Sequence, residues 1–323
     1  MFMTGIAIAG VIGGALVGAL VGLLNIPANY QVLFLQGGAL AMNALIPMNL
    51  LGNKTSADYV NTGEWSKKSI QEAGKYCKAN VIASSEDRRF TYVPAQDTWK
   101  PDPQAAYLHI CTNETIGGVE YFWVPEMGEV PLVADMSSHI LSRPIDVSRY
   151  GVIYGGAQKN IGPAGLTFVI VRDDLLDRAL PITPSVFHWQ AQAAAASMLN
   201  TPPTYSIYIA GLVFEWLLDQ GGLGAIEQIN RTKAQRLYDF IDRSDFYRNP
   251  VEPACRSRMN VPFFLQDERL NDAFLQGAEA NGLVQLKGHR VVGGMRASIY
   301  NAMPIEGVEA LIAYMQDFQL HQT

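Results

Sequence analysis

From Asn25 onward, short apolar runs alternate with amphipathic stretches, and that rhythm commits a chain to an α/β architecture. Segments 30–35, 57–60, 78–84, 106–111, 130–134, 152–154 and 166–172 read as strands. The runs AYLHIC (106–111) and VPLVA (130–134) are continuous enough to be buried on both faces. Helices are expected over 39–48 and 66–76. A long helical pattern over 206–218 continues, after Gly221-Gly222-Leu223-Gly224, through 225–241, and a helix of that length often bridges two domains. The tail offers strands at 259–265 and 293–298 with helices at 268–281 and 305–319, a compact α+β unit near the lower end of domain size. The expected division is an apolar segment 1–23, a large domain 24–227 and a small domain 228–323.

Length agrees, because 323 residues exceed the size at which a single core usually stops growing. Charge is unevenly placed. No Asp, Glu, Lys, Arg or His precedes Lys54, so all 30 acidic and 24 basic residues lie from Lys54 onward. The net charge of −6, with no basic run longer than a pair, argues against a nucleic-acid partner. Three widely spaced cysteines without a CxxC and five histidines without an HxH or HxxxH argue against a disulfide framework or a metal site. A reducing compartment, the cytoplasm, is the expected location. Residues 5–24 form an apolar stretch long enough to span a bilayer, with Gly14, Gly18 and Gly22 at the spacing of close helix packing. No cation flanks it to set an orientation, so a packed helix is the expectation and a membrane span the alternative.

The chemistry concentrates between Val133 and Val171. One strand runs into Asp135, a second toward Lys159, and a third leaves from Gly165, so the two charged residues fall at the carboxyl ends of adjacent strands. Open α/β sheets hold ligands at that edge. A lysine in the polar, glycine-rich turn GGAQKNIGPAG suits Schiff-base formation with a carbonyl. An aspartate on the next strand end suits a pyridinium nitrogen, which it would keep protonated. The same residues also suit plainer roles, a solvated loop lysine and a carboxylate capping the turn 136–138.

The blocks ADMSSHILSRPIDVSR, GVIYGGAQKNIGPAGLTFVIV, YVNTGEWS and KGHRVVGGMRASIYNAM together resemble the phosphoserine aminotransferase family, fold-type I enzymes dependent on pyridoxal phosphate. The resemblance extends from about Leu24 to the C-terminus. It implies a large domain with a mostly parallel sheet, a small C-terminal α+β domain, and pyridoxal 5′-phosphate as cofactor. It implies transfer of the amino group of L-glutamate to 3-phosphohydroxypyruvate, in serine and pyridoxine biosynthesis. By the same resemblance Lys159 is the Schiff-base lysine, Asp135 the partner of the pyridinium nitrogen, Trp65 the stacking ring and Thr115 the hydroxyl to the ring oxygen. Gly38, Ala39, Leu40 and Gln158 stand at the cofactor-phosphate positions. Asn200 and Thr201 match residues lent to the neighbouring subunit, which implies a homodimer, and His289 and Arg290 match substrate-anion residues.

The chain also departs from that pattern. The family's Phe-Ser-Ala-Gly-Pro opening and the His-Arg pair that follows it are missing, and Leu40, Met42 and Asn43 stand where the family typically has a polar residue or arginine, a glutamine and an aromatic. Each lost hydrogen bond to a charged group is worth roughly 1.5–3 kcal/mol, so weakened substrate capture is expected. The alternatives are therefore a pyridoxal-phosphate-binding relative with altered or lost substrate specificity and, more remotely, a membrane-tethered interaction protein.

Overall fold

The apolar runs pair as strands whose two faces are both covered. The computed structural model describes residues 16–322. In chain order its first strands are β1 (Tyr30–Leu35), β2 (Ser56–Asn61), β3 (Lys78–Ser84), β4 (Leu108–Cys111), the short pair β5 (Asn113–Glu114) and β6 (Val119–Glu120), β7 (Leu132–Asp135), β8 (Val152–Gly156) and β9 (Thr167–Arg172). Seven of them form one sheet in the order β1-β9-β8-β7-β4-β2-β3. Only β9 runs against the rest, pairing antiparallel with both β8 and β1. This is the mixed, mostly parallel sheet that the resemblance implies.

Strand period decides which core each side chain enters. Leu108, Ile110, Leu132, Ala134, Ile153, Phe168 and Ile170 point to one face, while Val133, Val152, Tyr154, Val169 and Val171 point to the other. The first face is covered by α1 (helical over the described residues 16–24) and by α5 (Thr204–Asp219). The second is covered by α2 (Gly38–Leu50), α3 (Glu64–Ala73) and α4 (Trp189–Ala194), with Leu45, Ile46, Ala73 and Trp189 inserted.

Residues 5–15 of the apolar N-terminal stretch, Gly14 among them, lie outside the described residues. Within it, Leu16, Leu20, Leu23 and Leu24 are buried in the first core. Gly18 and Gly22 are exposed, and among the described residues nothing outside the neighbouring backbone of the helix lies within 4 Å of where a Cβ would sit on either. The leucine face, not the glycine spacing, seats this helix. Among the described residues no single helix is long and apolar enough to cross a membrane.

The expected long helix is two helices. α5 and α6 (Gly222–Arg243) meet at 83°. Gly221 and Gly222 take φ of 91° and 75°, a left-handed conformation that stops α5 and lets the chain turn the corner. α6 then carries the bridging role alone. Leu223 and Ile226 enter the first core, and Ala234, Leu237, Tyr238 and Ile241 enter a third. That third core lies beneath the antiparallel sheet β10 (Tyr247–Arg248), β11 (Asn260–Leu265) and β12 (Met295–Ser298), packed by α7 (Asn271–Ala280) and α8 (Ile305–Gln322). β12 starts two residues later than its apolar pattern suggests, because Gly293 and Gly294 are left-handed.

Candidate active site

Asp135 ends β7 at the centre of the sheet, its backbone flanked by Cys111 on β4 and Tyr154 on β8. Its carboxylate is almost fully buried and lines a cleft of about 640 Å³ along the carboxyl edge of the sheet. The Ser137 hydroxyl (2.5 Å) and N–H (2.9 Å) both donate to Oδ1. Ser137 Oγ in turn accepts the N–H of Gly156 at 3.2 Å, tying the end of β8 to the aspartate. Burial pushes the Asp135 carboxyl up, opposed by the Ser137 donors and by the charge of Lys159. Asp135 therefore caps a turn and faces the cleft at once. The two readings of this residue are compatible.

Lys159 sits three residues past the end of β8, in a turn closed by the N–H groups of Lys159, Ile161 and Gly162 on the carbonyl of Ala157. Its Nζ donates to Thr115 Oγ1 at 2.9 Å and lies 5.8 Å from the centre of the Trp65 ring. Burial lowers the pKa of this ammonium. The carboxylate of Asp135 opposes that shift and the nearby Arg296 guanidinium adds to it. A partly desolvated amine of this kind is easier to use as a nucleophile or base.

Trp65 is placed by a residue the sequence did not single out. Glu114 is fully buried and accepts from the N–H of Trp65 (3.0 Å), the N–H of Ser66 (2.9 Å) and the Ser66 hydroxyl (2.6 Å). A carboxylate at the N-terminus of α3 satisfies donors that would otherwise be orphaned, which is why the helix starts at Glu64, earlier than its apolar pattern suggests. Burial raises the Glu114 carboxyl, with the Ser66 and Trp65 donors pulling it back. Glu114 also precedes Thr115 in the chain, so one short pair, β5–β6, sets both the ring and the hydroxyl.

At the other end of the cleft, Gly37 and Gly38 take φ of 102° and 67° and open α2 with Ala39 and Leu40. A Cβ on Gly37 would sit 2.6 Å from that of Ala41, so only glycine makes this turn. Free N–H groups at such a helix start suit an anion. Gln158 lines the same region, whereas Leu40 is 63% exposed and offers no polar atom. Lys68, one turn along α3 from Trp65, also lines the cleft. Its Nζ lies 4.2 Å from the Trp65 ring centre, and no carboxylate within 4 Å pairs with it among the described residues.

The far wall comes from the C-terminal unit. His289 lines the cleft from a loop, and Arg296, Ser298 and Tyr300 line it from β12 and the residues after it. On β12, Met295 and Ala297 are buried in the third core, which turns Arg296 and Ser298 to the opposite side. The MRAS alternation is the signal that could have singled out Arg296. Its buried Nε has no partner among the described residues, and neither has Trp65 Nε1.

Of the residues expected from sequence, the cleft gathers Gly38, Ala39, Leu40, Trp65, Thr115, Asp135, Gln158, Lys159 and His289. Arg290 is exposed and outside its lining. Asn200 and Thr201 are exposed and also outside it, their loop held by Gln36 Nε2 donating to the Thr201 carbonyl at 3.2 Å.

Residues 19–311 match the class-V aminotransferase family. The chain is 66% identical to the phosphoserine aminotransferase of Janthinobacterium sp. (strain Marseille), over 92% of this chain and 83% of that one. Among solved structures, it superposes on phosphoserine aminotransferase from Bacillus circulans subsp. alkalophilus with a TM-score of 0.96 at 43% identity, covering 98% of this chain and 88% of the other. It also superposes on the pyridoxal-phosphate-bound phosphoserine aminotransferase of Trichomonas vaginalis, with a TM-score of 0.90 at 39% identity over 94% and 87% of the two chains.

Proposed function

The chain belongs to the class-V aminotransferases and, within them, to the phosphoserine aminotransferases, and on that premise we propose how its own residues divide the work. The cofactor is pyridoxal phosphate, and the amino donor and acceptor are L-glutamate and 3-phosphohydroxypyruvate. The observation that carries the reading is the trio of Lys159, Thr115 and Asp135 at one sheet edge beside Trp65.

The residues present fit the cofactor. Among the described residues Asp135 forms no ion pair within 4 Å and feels only the weaker influence of Lys159. A buried carboxylate so placed costs roughly several kcal/mol, and a protonated ring nitrogen would supply the missing partner. The left-handed turn at Gly37-Gly38 presents backbone donors to a phosphate, and Gln158 adds an amide. When bound, the cofactor supplies an electron sink for the carbanion at the substrate's Cα.

Lys159 holds the cofactor aldehyde and then carries a proton at Nζ to and from the substrate's Cα, a task its lowered basicity favours. Asp135 keeps a proton on the ring nitrogen. Trp65 limits the ring's tilt, and Thr115 holds the ring oxygen while accepting from Lys159. Lys68, whose Nζ lies over the Trp65 ring, would supply the cofactor phosphate with a cation that Leu40 does not offer. Arg296 takes the substrate carboxylate with a fork suited to it, and His289 adds a second polar contact. Arg290 joins them only if its loop closes over a bound substrate.

A homodimer is part of the same proposal. Tyr205, Tyr208 and Leu212 leave an exposed apolar stripe on α5 close in sequence to Asn200 and Thr201, which suits a second copy whose cleft those two residues complete. The large domain 24–227 and small domain 228–323 meet within α6, which contributes to both cores.

The test is spectroscopic. Protein supplied with pyridoxal phosphate develops the visible absorbance of lysine-bound cofactor, and glutamate bleaches it. Lys159→Ala abolishes the band and lowers transamination by about 10³-fold or more. A wild-type chain that shows no such band overturns the reading, and a band that glutamate bleaches without turnover of phosphohydroxypyruvate moves the protein to a different acceptor.

A further inference from the structure

Three asparagines from three separate segments meet behind the cleft. Asn160 directly follows Lys159, Asn230 lies on α6, and Asn301 sits in the turn after β12; all three are buried. Their side-chain amides donate to three consecutive carbonyls: Asn160 to Ile140 (3.0 Å), Asn301 to Leu141 (2.8 Å) and Asn230 to Ser142 (3.0 Å). They also bond to one another. The backbone N–H of Asn301 donates to Asn160 Oδ1 at 3.0 Å, and Asn230 Nδ2 donates to Asn301 Oδ1 at 2.8 Å.

Apart from α6, each segment in this ladder leads directly from residues that line the cleft: Asp135 and Ser138, Lys159, and Tyr300. Residues 140–142 continue from Asp135 through a turn in which the N–H groups of His139 and Ile140 converge on the carbonyl of Met136. Leu141 is held at φ 62°, a conformation a leucine keeps only where its surroundings over-determine it. The turn bearing Asn301 is itself anchored, because the fully buried Lys233 donates to the carbonyls of Ile299 (3.2 Å), Tyr300 (2.8 Å) and Met303 (2.9 Å).

We propose that the Asn160–Asn301–Asn230 ladder positions the C-terminal wall of the cleft against Lys159 and Asp135, with Asn301 as its central positioning residue. A substrate gripped by Arg296 then presents its Cα to Lys159 Nζ at one fixed separation. The inference rests on the reading of Lys159 as the reacting lysine. The ladder is neutral and its influence is geometric: a displacement of about 1 Å at a reacting centre is enough to cost about 100-fold in rate.

Single-turnover conversion by glutamate, followed by absorbance in the cofactor-loaded enzyme, tests it. Asn301→Ala and Asn160→Ala each slow the conversion about 10- to 100-fold with cofactor loading unchanged. The double variant Asn230→Ala/Asn301→Ala slows conversion by less than the product of its two single effects, because the Asn230 Nδ2–Asn301 Oδ1 bond is already lost in each single. Asn249→Ala is the control. It removes an amide donated to the Pro262 carbonyl in the same C-terminal unit, so it lowers the thermal midpoint while leaving the rate within about two-fold. Should Asn301→Ala not fold, Asn230→Ala removes the bonds to Ser142 and to Asn301 Oδ1, leaves those to Ile140 and Leu141, and slows conversion about three-fold. The proposal is overturned if Asn301→Ala loses thermal stability like the control yet turns over at the wild-type rate, if the double variant multiplies the single effects, or if Asn230→Ala turns over unchanged. A wild-type chain that never acquires the absorbance refutes the role of Lys159 instead, a distinct result.

Discussion

The two walls of the cleft satisfy their polar atoms in different ways. On the sheet-edge wall, Lys159 bonds Thr115, Asp135 bonds Ser137, and Ser137 bonds Gly156, so the catalytic groups hold one another. On the C-terminal wall, Ser298 and Tyr300 accept from Asn260, but the buried Arg296 Nε has no partner among the described residues and His289 stands on a loop. The lysine and carboxylate of the first wall are held from within; the guanidinium of the second is left for a ligand to complete. That suits a resident cofactor on one side and a transient substrate on the other.

The contrast can be broken experimentally, most forcefully at Arg296. If the C-terminal wall serves the substrate alone, Arg296→Ala lowers kcat/KM for glutamate by about 10²- to 10³-fold and leaves the cofactor titration unchanged, since a lost charge-assisted fork is worth about 3–4 kcal/mol. A weaker cofactor titration in that variant erases the division between the walls. A smaller effect is expected at Lys68, on the opposite side. Lys68→Ala raises the dissociation constant for pyridoxal phosphate by about 3- to 10-fold, the worth of a partly exposed cation, and leaves that for pyridoxal, which lacks the phosphate, unchanged. Equal weakening of both ligands moves Lys68 from the phosphate to the ring.

The smallest effect concerns how the C-terminal wall is anchored. Burial pushes the Lys233 ammonium down to about 8, although three carbonyl acceptors favour its charged form. A base whose folded pKa is depressed binds fewer protons folded than unfolded between that value and the ordinary lysine range. Stability attributable to it therefore rises with pH through that window. Denaturation at pH 7.5 and pH 10, both approximate settings, gives the wild type a gain on the order of 1–2 kcal/mol relative to Lys233→Met. Parallel pH profiles in the two proteins remove Lys233 as the titrating group.

How much of this was legible in the sequence follows the same division. Asp135 is visible because an apolar run leads directly into it, and Lys159 because the glycine-rich turn that holds it follows the buried strand β8; the register of a buried strand leaves little choice about where its end emerges. Glu114 was invisible for the opposite reason. It lies on a two-residue strand with no periodicity, and its partners at Trp65 and Ser66 are almost fifty positions away. Arg296 was partly visible through the MRAS alternation, but nothing in the sequence says that the outward side of β12 faces Lys159. The corner between α5 and α6 was misread as a continuation, because both sides keep helical periodicity and only the left-handed glycines reveal the turn.

The opening apolar stretch divides along this line too. From its sequence a helix follows; its spacing of glycines suggests packing through small residues, and in the fold the leucines make the contact instead. By itself the sequence determined the fold class, the family and the pair of residues at the sheet edge, since those depend on local period and on residues close in the chain. Only the tertiary structure decided what faces that pair. Arg296, Lys68 and the asparagine ladder act through contacts between distant segments, and such contacts are set by packing, which no local pattern encodes.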